Sequence, residues 1–197
     1  AVVLLPMLFI VAQKETGSAL VYISFFLMFY REGMTGSVLF TGVAMVIYFV
    51  VGIRYEEALM FDTTTSIGKF AVLLLVQIFT SGMVYVYCKD KQQALTILVY
   101  SVGITLLALL FAVFVIPFDI VWVQLAVSAG LVGYLVYLWM NRRIKHYLYI
   151  LLFTIGSIAF FYSADYVLNN IMEPHQRVRI NVLLGLDEDL AGAGYNV

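Results

Sequence analysis

The chain has 197 residues, of which 63% are hydrophobic and 12% charged, and its mean hydropathy is +1.00. Soluble domains use about 45–50% apolar and about 25% charged residues, so this composition excludes a soluble globular enzyme and predicts a multi-pass membrane protein. A net charge of -1, carried in short clusters between apolar runs, leaves no basic stripe for nucleic acid, and the single Cys88 cannot form an internal disulfide.

Seven apolar runs follow in chain order, at 1–12, 18–30, 36–53, 67–87, 94–116, 120–140 and 147–166. The first would make only about 18 Å of helix against a hydrocarbon core of about 30 Å. It is therefore expected to be the end of a longer span, and the chain an internal piece of a longer protein. The second run needs flanking residues to cross. The stretch 94–140 would extend about 70 Å as one helix, so it must reverse at Pro117-Phe118-Asp119. Proline cannot continue the ladder of amide donors there, and an aspartate at the bilayer centre would cost about 2.5–3.5 kcal/mol. Within 120–140, Ala126 with Gly130 and Ala129 with Gly133 are spaced for close packing on a neighbouring helix. Gln77 and Gln124 fall inside apolar runs and are expected to hydrogen bond to neighbouring helices. The predicted organisation is an all-α transmembrane helix bundle over 1–167, followed by the start of a large extracytoplasmic loop over 168–197.

Lysine and arginine set the orientation. Arg31, Lys89, Lys91, Arg142, Arg143 and Lys145 fall in one set of alternate loops, and Lys14, Arg54 and Lys69 in the other, which predicts a cytoplasmic first set and an external tail. On that tail Gln176, Arg177 and Arg179 form a polar cluster. Guanidinium groups bind phosphate oxygens in a planar, often bidentate way. The residues alone also allow anchoring to lipid headgroups or pairing with Glu173. Gln13 and Glu15 occupy an external turn, where Glu15 reads as a solvated pair with Lys14 or as a general base or metal ligand. Asp187, Glu188 and Asp189 cannot all point one way and read as solvated loop, with no metal assigned. His146 and His175 fall on opposite faces, which excludes a shared metal site between them. Cys88, at a cytoplasmic helix end, reads as a packing residue or a palmitoylation site.

The segment Pro174-His175-Gln176-Arg177-Val178-Arg179-Ile180, followed by Gly192-Ala193-Gly194-Tyr195, resembles the signature of the SEDS (RodA/FtsW) family of bacterial rod-shape and division proteins. The Gly-Ala-Gly form is similar to the RodA-like, rod-shape branch. Gln13-Lys14-Glu15-Thr16-Gly17-Ser18 resembles a second family segment, Gln-Pro-Asp followed by Gly-Thr. Glu15 stands for the aspartate, Ser18 for the threonine, and Lys14 replaces the proline. An even number of runs, six, separates Gln13 from Arg177, so both motifs emerge on one face, although the family usually places about two spans there.

The resemblance implies a helix bundle of the bacterial cytoplasmic membrane that polymerises lipid II into peptidoglycan for cell elongation, releasing undecaprenyl pyrophosphate. It implies substrate-binding roles for Arg177, Arg179, Gln176, Gln13 and Glu15. It places no catalytic residue in this chain, because the family's aspartate is expected downstream of Val197, and the chain alone is expected to be inactive. It implies no cofactor here, while a divalent cation is compatible with the full-length glycosyltransferase. The implied partners are a class B penicillin-binding protein and other elongation-complex membrane proteins. Readings from other classes are a lipid II flippase or other transporter, which would place ionisable groups or broken helices near the midplane, and a non-catalytic scaffold of a cell-wall complex.

Overall fold

The computed structural model describes residues 36–60, 64–172, 177, 178 and 180. The runs at 1–12 and 18–30, with Gln13 and Glu15, lie outside the described residues. The other five runs form α-helices: α1 Gly36–Arg54, α2 Ile67–Tyr87, α3 Lys91–Phe114, α4 Ile120–Arg142 and α5 Lys145–Tyr166, which continues into a π-helical turn at Val167–Ile171. Beyond one isolated bridge between Leu59 and Ser66, the described residues contain no strand, and the fold is all-α. The helices have 19 to 24 residues, which is about 28–36 Å of length. All five are long and apolar enough to cross a bilayer. The chain divides into two compact units, Ala1–Ala44 and Met45–Val197, and the packing that follows is that of the second.

Polar side chains set the helix ends. Asp90 accepts a hydrogen bond from the Gln93 amide at 3.2 Å and starts α3 at Lys91, before its apolar run begins. Asp119 accepts from the Val121 amide at 3.0 Å and starts α4, so the reversal at Pro117 is a capped turn. Such caps satisfy amides that have no partner within the helix. At the opposite ends of α2 and α4, Lys89 and Arg143 adopt left-handed backbone at φ 53° and 54°. That conformation terminates helices, and placing a cation there complements the negative end of the helix dipole. Arg143 is itself the cap, its amide donating to the Trp139 carbonyl at 2.9 Å.

Burial departs from that of a soluble protein in what it exposes and in the polar groups that it encloses. Leu107, Phe114 and Trp122 are 69%, 79% and 73% exposed, whereas Gln77, Thr80, Gln124, Thr154 and Ser157 are at most 1% exposed. A bilayer produces this pattern, because lipid solvates the apolar face and leaves polar groups to find partners inside. Most exposed aromatics lie toward the helix ends, with Phe114, Trp122 and Tyr166 at one end of the bundle and Tyr85, Tyr137, Trp139 and Tyr149 at the other, while Tyr100 lies within α3. Aromatic belts of this kind mark membrane interfaces. Short connections make α2 to α5 successive antiparallel neighbours, and α2 packs against α3, α4 and α5.

The closest backbone approach is not where small-residue spacing predicts it. A Cβ at Gly130 or Gly133 would meet nothing within 4 Å among the described residues, and Ala126 and Gly130 line an open groove between α3 and α4. The tight contacts are at Gly68, where a Cβ would run into the Gly52 carbonyl oxygen, and at Gly52, where it would strike the Phe161 ring. These glycines let α2 and α5 close on the last turn of α1. Gly68→Ala is therefore expected to destabilise the bundle by about 1–3 kcal/mol, since backbone cannot move aside as a flexible side chain can. Gly130→Ala is expected not to destabilise it, because alanine has the better helix propensity and the site is open. Unfolding of both variants in detergent micelles measures the difference, and equal losses would contradict this placement.

Candidate functional site

Three polar constellations are built into the bundle. The first lies within the membrane span. The Gln77 amide of α2 donates to Gln124 Oε1 at 2.7 Å and to Ser128 Oγ at 3.1 Å, both on α4. Gln124 in turn donates to Thr105 Oγ1 on α3 at 2.9 Å, and the Thr105 hydroxyl donates to the Ser101 carbonyl at 2.7 Å. Two further α2 side chains reach other helices: Thr80 bonds Thr154 of α5 at 2.9 Å, and Ser81 donates to the Ala94 carbonyl of α3 at 2.7 Å. Gln77 and Gln124 thus hydrogen bond across helices as their positions predict, and they do so to each other. The network is neutral throughout, and its chemistry is that of a helix lock.

The second constellation surrounds Asp90. Its carboxylate takes an ion pair from Arg142 at 2.9 Å and a hydrogen bond from the Tyr147 hydroxyl at 3.3 Å, in addition to capping α3. Tyr134 donates to Gln93 close by. Burial pushes the neighbouring Cys88 thiol up to about 11; the Asp90 charge adds to this and a hydrogen bond with Tyr147 opposes it. A thiol held that high is protonated at neutral pH and a poor nucleophile, which fits the reading of Cys88 as a packing residue.

The third constellation is at the other end of the bundle. Asp165, near the end of α5, pairs with Lys69 in the first turn of α2 at 3.5 Å. Asn169, in the π-helical turn, donates to Asp165 Oδ1 at 3.2 Å and to Glu56 Oε1 at 2.9 Å. The Met172 amide closes the turn on the Val167 carbonyl at 2.9 Å. Ser66 donates to the Glu56 carbonyl at 2.8 Å, and Thr65 Oγ1 accepts from the Ile120 amide at 2.9 Å, joining the connection between α1 and α2 to the start of α4. Among the described residues, these contacts join the end of α5 to the start of α2 and to the connection between α1 and α2.

Arg177 resumes helical backbone beyond that turn and is exposed. Gln176 and Arg179 lie outside the described residues, as do Gln13, Glu15, Glu173, His175 and the acids from Asp187 to Asp189. The predicted loop boundary at 168 falls inside the π-helical turn. His146 sits in the first turn of α5, at the Asp90 end. No group of three or more potential metal ligands occurs among the described residues. Sequence reasoning missed the Glu56, Lys69, Asp165 and Asn169 set; the one local signal was Asp165 and Asn169 spaced four apart at a helix end. Comparison with known protein families, curated proteins and solved structures gives no match to this chain.

Two measurements test these assignments. Gln124→Leu is expected to destabilise the bundle by about 1–2 kcal/mol by removing the side-chain acceptor of Gln77 and the donor to Thr105, and Gln77→Leu added to it should cost less than the sum, with a coupling of about 0.6–1.7 kcal/mol. Strict additivity in a double-mutant cycle would contradict the contact. Alkylation of Cys88 by a maleimide should rise about tenfold per pH unit from pH 7 to pH 10, because the thiolate fraction is still climbing below a pKa near 11. A rate that levels off by pH 9 would contradict the burial of the thiol beside Asp90.

Proposed function

We propose that this chain is part of a SEDS-type peptidoglycan glycosyltransferase of the bacterial cytoplasmic membrane, which polymerises lipid II for cell elongation. The observation that carries the reading is the segment Pro174 to Ile180 with Gly192 to Tyr195, borne on a chain that leaves α5 at the bundle end opposite Lys89, Lys91, Arg142, Arg143 and Lys145. The positive-inside bias makes that cation-rich end cytoplasmic and the arginine segment external. Arg177 is exposed there and free of the membrane span.

In this reading Arg177 and Arg179 hold the pyrophosphate of a lipid-linked disaccharide and stabilise its charge as it departs, with Gln176, Gln13 and Glu15 contributing to the substrate cavity. Bidentate arginine contacts suit a pyrophosphate, and they stay charged at any working pH. The proton of the attacking sugar hydroxyl goes to a carboxylate supplied by the segment beyond Val197. A class B penicillin-binding protein crosslinks the product. A transporter reading finds less support, because among the described residues no Asp, Glu, Lys or Arg lies in the middle third of a helix, and the buried amides bond to one another.

Arg177→Ala and Arg179→Ala in the full-length protein should each reduce lipid II polymerisation about 10- to 150-fold, the equivalent of about 1.5–3 kcal/mol for a hydrogen bond to a charged group made mainly in the transition state. Lysine at either position should rescue only in part, and Lys89→Ala should leave the rate within about twofold. The assay resolves labelled glycan by length at matched membrane abundance. Full-rate synthesis by both alanine variants would return these arginines to a headgroup-anchoring role.

A further inference from the structure

We infer that the turn between α4 and α5 carries a binding site for an anionic phospholipid of the cytoplasmic leaflet, with the phosphate held by Arg143 and Lys145 and the acyl chains starting along the apolar residues beneath them. This site is independent of the glycosyltransferase reading.

Trp139, Met140, Arg143, Lys145, Leu148 and Tyr149 line a surface cavity of about 580 Å³ where α4 ends and α5 begins. Its lining is graded by depth. Arg143 and Lys145 lie at the mouth, whereas the four apolar or aromatic residues are three or four positions further into their helices, about 4.5–6 Å deeper. A phospholipid presents the same order, from charged phosphate through polar ester to hydrocarbon, and tryptophan and tyrosine favour the ester level. A soluble anion would use the two cations and leave the deeper residues uncovered; a phospholipid covers both. The positive-inside bias places this end at the cytoplasmic leaflet, where anionic headgroups meet basic pockets between helices.

The positive charge of the cavity has no protein counterpart. Among the described residues the one acid at this end is Asp90, and Arg142 engages it at 2.9 Å. No carboxylate among the described residues pairs with Arg143 or Lys145. Helix ends account for only one of these two cations. Arg143 closes α4, where the negative end of the dipole favours a cation, but Lys145 opens α5, where the positive end disfavours one. The first turn of α5 also lacks an acidic residue and a side-chain cap, since Ile144 stands where α2, α3 and α4 have Ser66, Asp90 and Asp119. A phosphate supplies the missing negative charge. Arg143 is fixed at the mouth by its left-handed backbone, φ 54°, and by its amide bond to the Trp139 carbonyl at 2.9 Å, so the cavity's cation and its aromatic wall are set by one helix end.

Native mass spectrometry of the full-length protein in detergent tests the site by counting retained phosphatidylglycerol against phosphatidylcholine of the same acyl chains. Thermal unfolding is followed in nanodiscs of either lipid. The unaltered protein should prefer phosphatidylglycerol about 25-fold, from about fivefold per cation. Arg143→Gln and Lys145→Gln should each cut that preference about fivefold, while Lys91→Gln, at the same end but outside the cavity, should leave it within about twofold. Lys145→Gln also separates binding from folding. Removing a cation from a helix start should leave the melting temperature in phosphatidylcholine unchanged or higher, yet shrink the gain that phosphatidylglycerol gives. Equal losses in Lys91→Gln and the two cavity variants would reduce the effect to diffuse surface attraction and overturn the site, as would the absence of any preference in the unaltered protein. Displacement of phosphatidylglycerol by an equal concentration of soluble glycerophosphoglycerol would assign the cavity to a free phosphate ester and overturn the lipid.

Discussion

Hydrocarbon offers no hydrogen-bond partners, and this constraint organises the bundle around α2. A polar group that enters the span gains by bonding to another helix or to its own backbone, at a penalty of several kcal/mol if it does not. Gln77, Thr80 and Ser81 sit within five residues of one another on α2, yet they bond to α4, α5 and α3 respectively. One helix thereby fixes the register of three. Apolar packing in lipid cannot supply that register, because a leucine is as well solvated by acyl chains as by another leucine. The second layer of control is the close approach at Gly52 and Gly68, which sets how α1 meets α2 and α5.

The two ends of the bundle use carboxylates differently. Asp90 gathers an arginine, a tyrosine and a helix amide on one carboxylate, which ties the turn between α2 and α3 to the turn between α4 and α5. Asp165 works instead through an asparagine that spans to Glu56, joining parts far apart in the chain. Exposed ion pairs contribute little on their own, about 0–1 kcal/mol. Their value here is geometric, since they join helix ends to connections that lie far away in the chain.

Much of the fold is legible in the sequence because the bilayer imposes length and polarity rules. The run at 67–87 coincides with α2, and the reversal at Pro117 is where charge and proline demand it. The helices α3, α4 and α5 extend beyond their apolar runs because capping and charged residues count as helix although they are not hydrophobic. Glycine function is not legible in the same way. Spacing singled out Gly130 and Gly133, which face open space, whereas Gly52 and Gly68 act through partners that are set by tertiary packing. Gln77 and Gln124 were readable as buried donors and acceptors, but their mutual pairing depends on helix register. The Glu56, Lys69, Asp165 and Asn169 set was only partly legible: Asp165 and Asn169 are spaced four apart, while the reach to Glu56 and Lys69 depends on tertiary packing.

The central claim is that the arginine segment and the Arg142 end lie on opposite faces of the membrane, and membrane-impermeant thiol labelling of intact cells tests it most directly. In a full-length Cys88→Ser protein, single cysteines at Leu59 and Val178 report one end, and at Lys91 and Lys145 the other. The account predicts that Leu59→Cys and Val178→Cys label in intact cells, while Lys91→Cys and Lys145→Cys label only after permeabilisation. Labelling of Lys91→Cys with protection of Val178→Cys would contradict it, because the arginines would then face the cytoplasm.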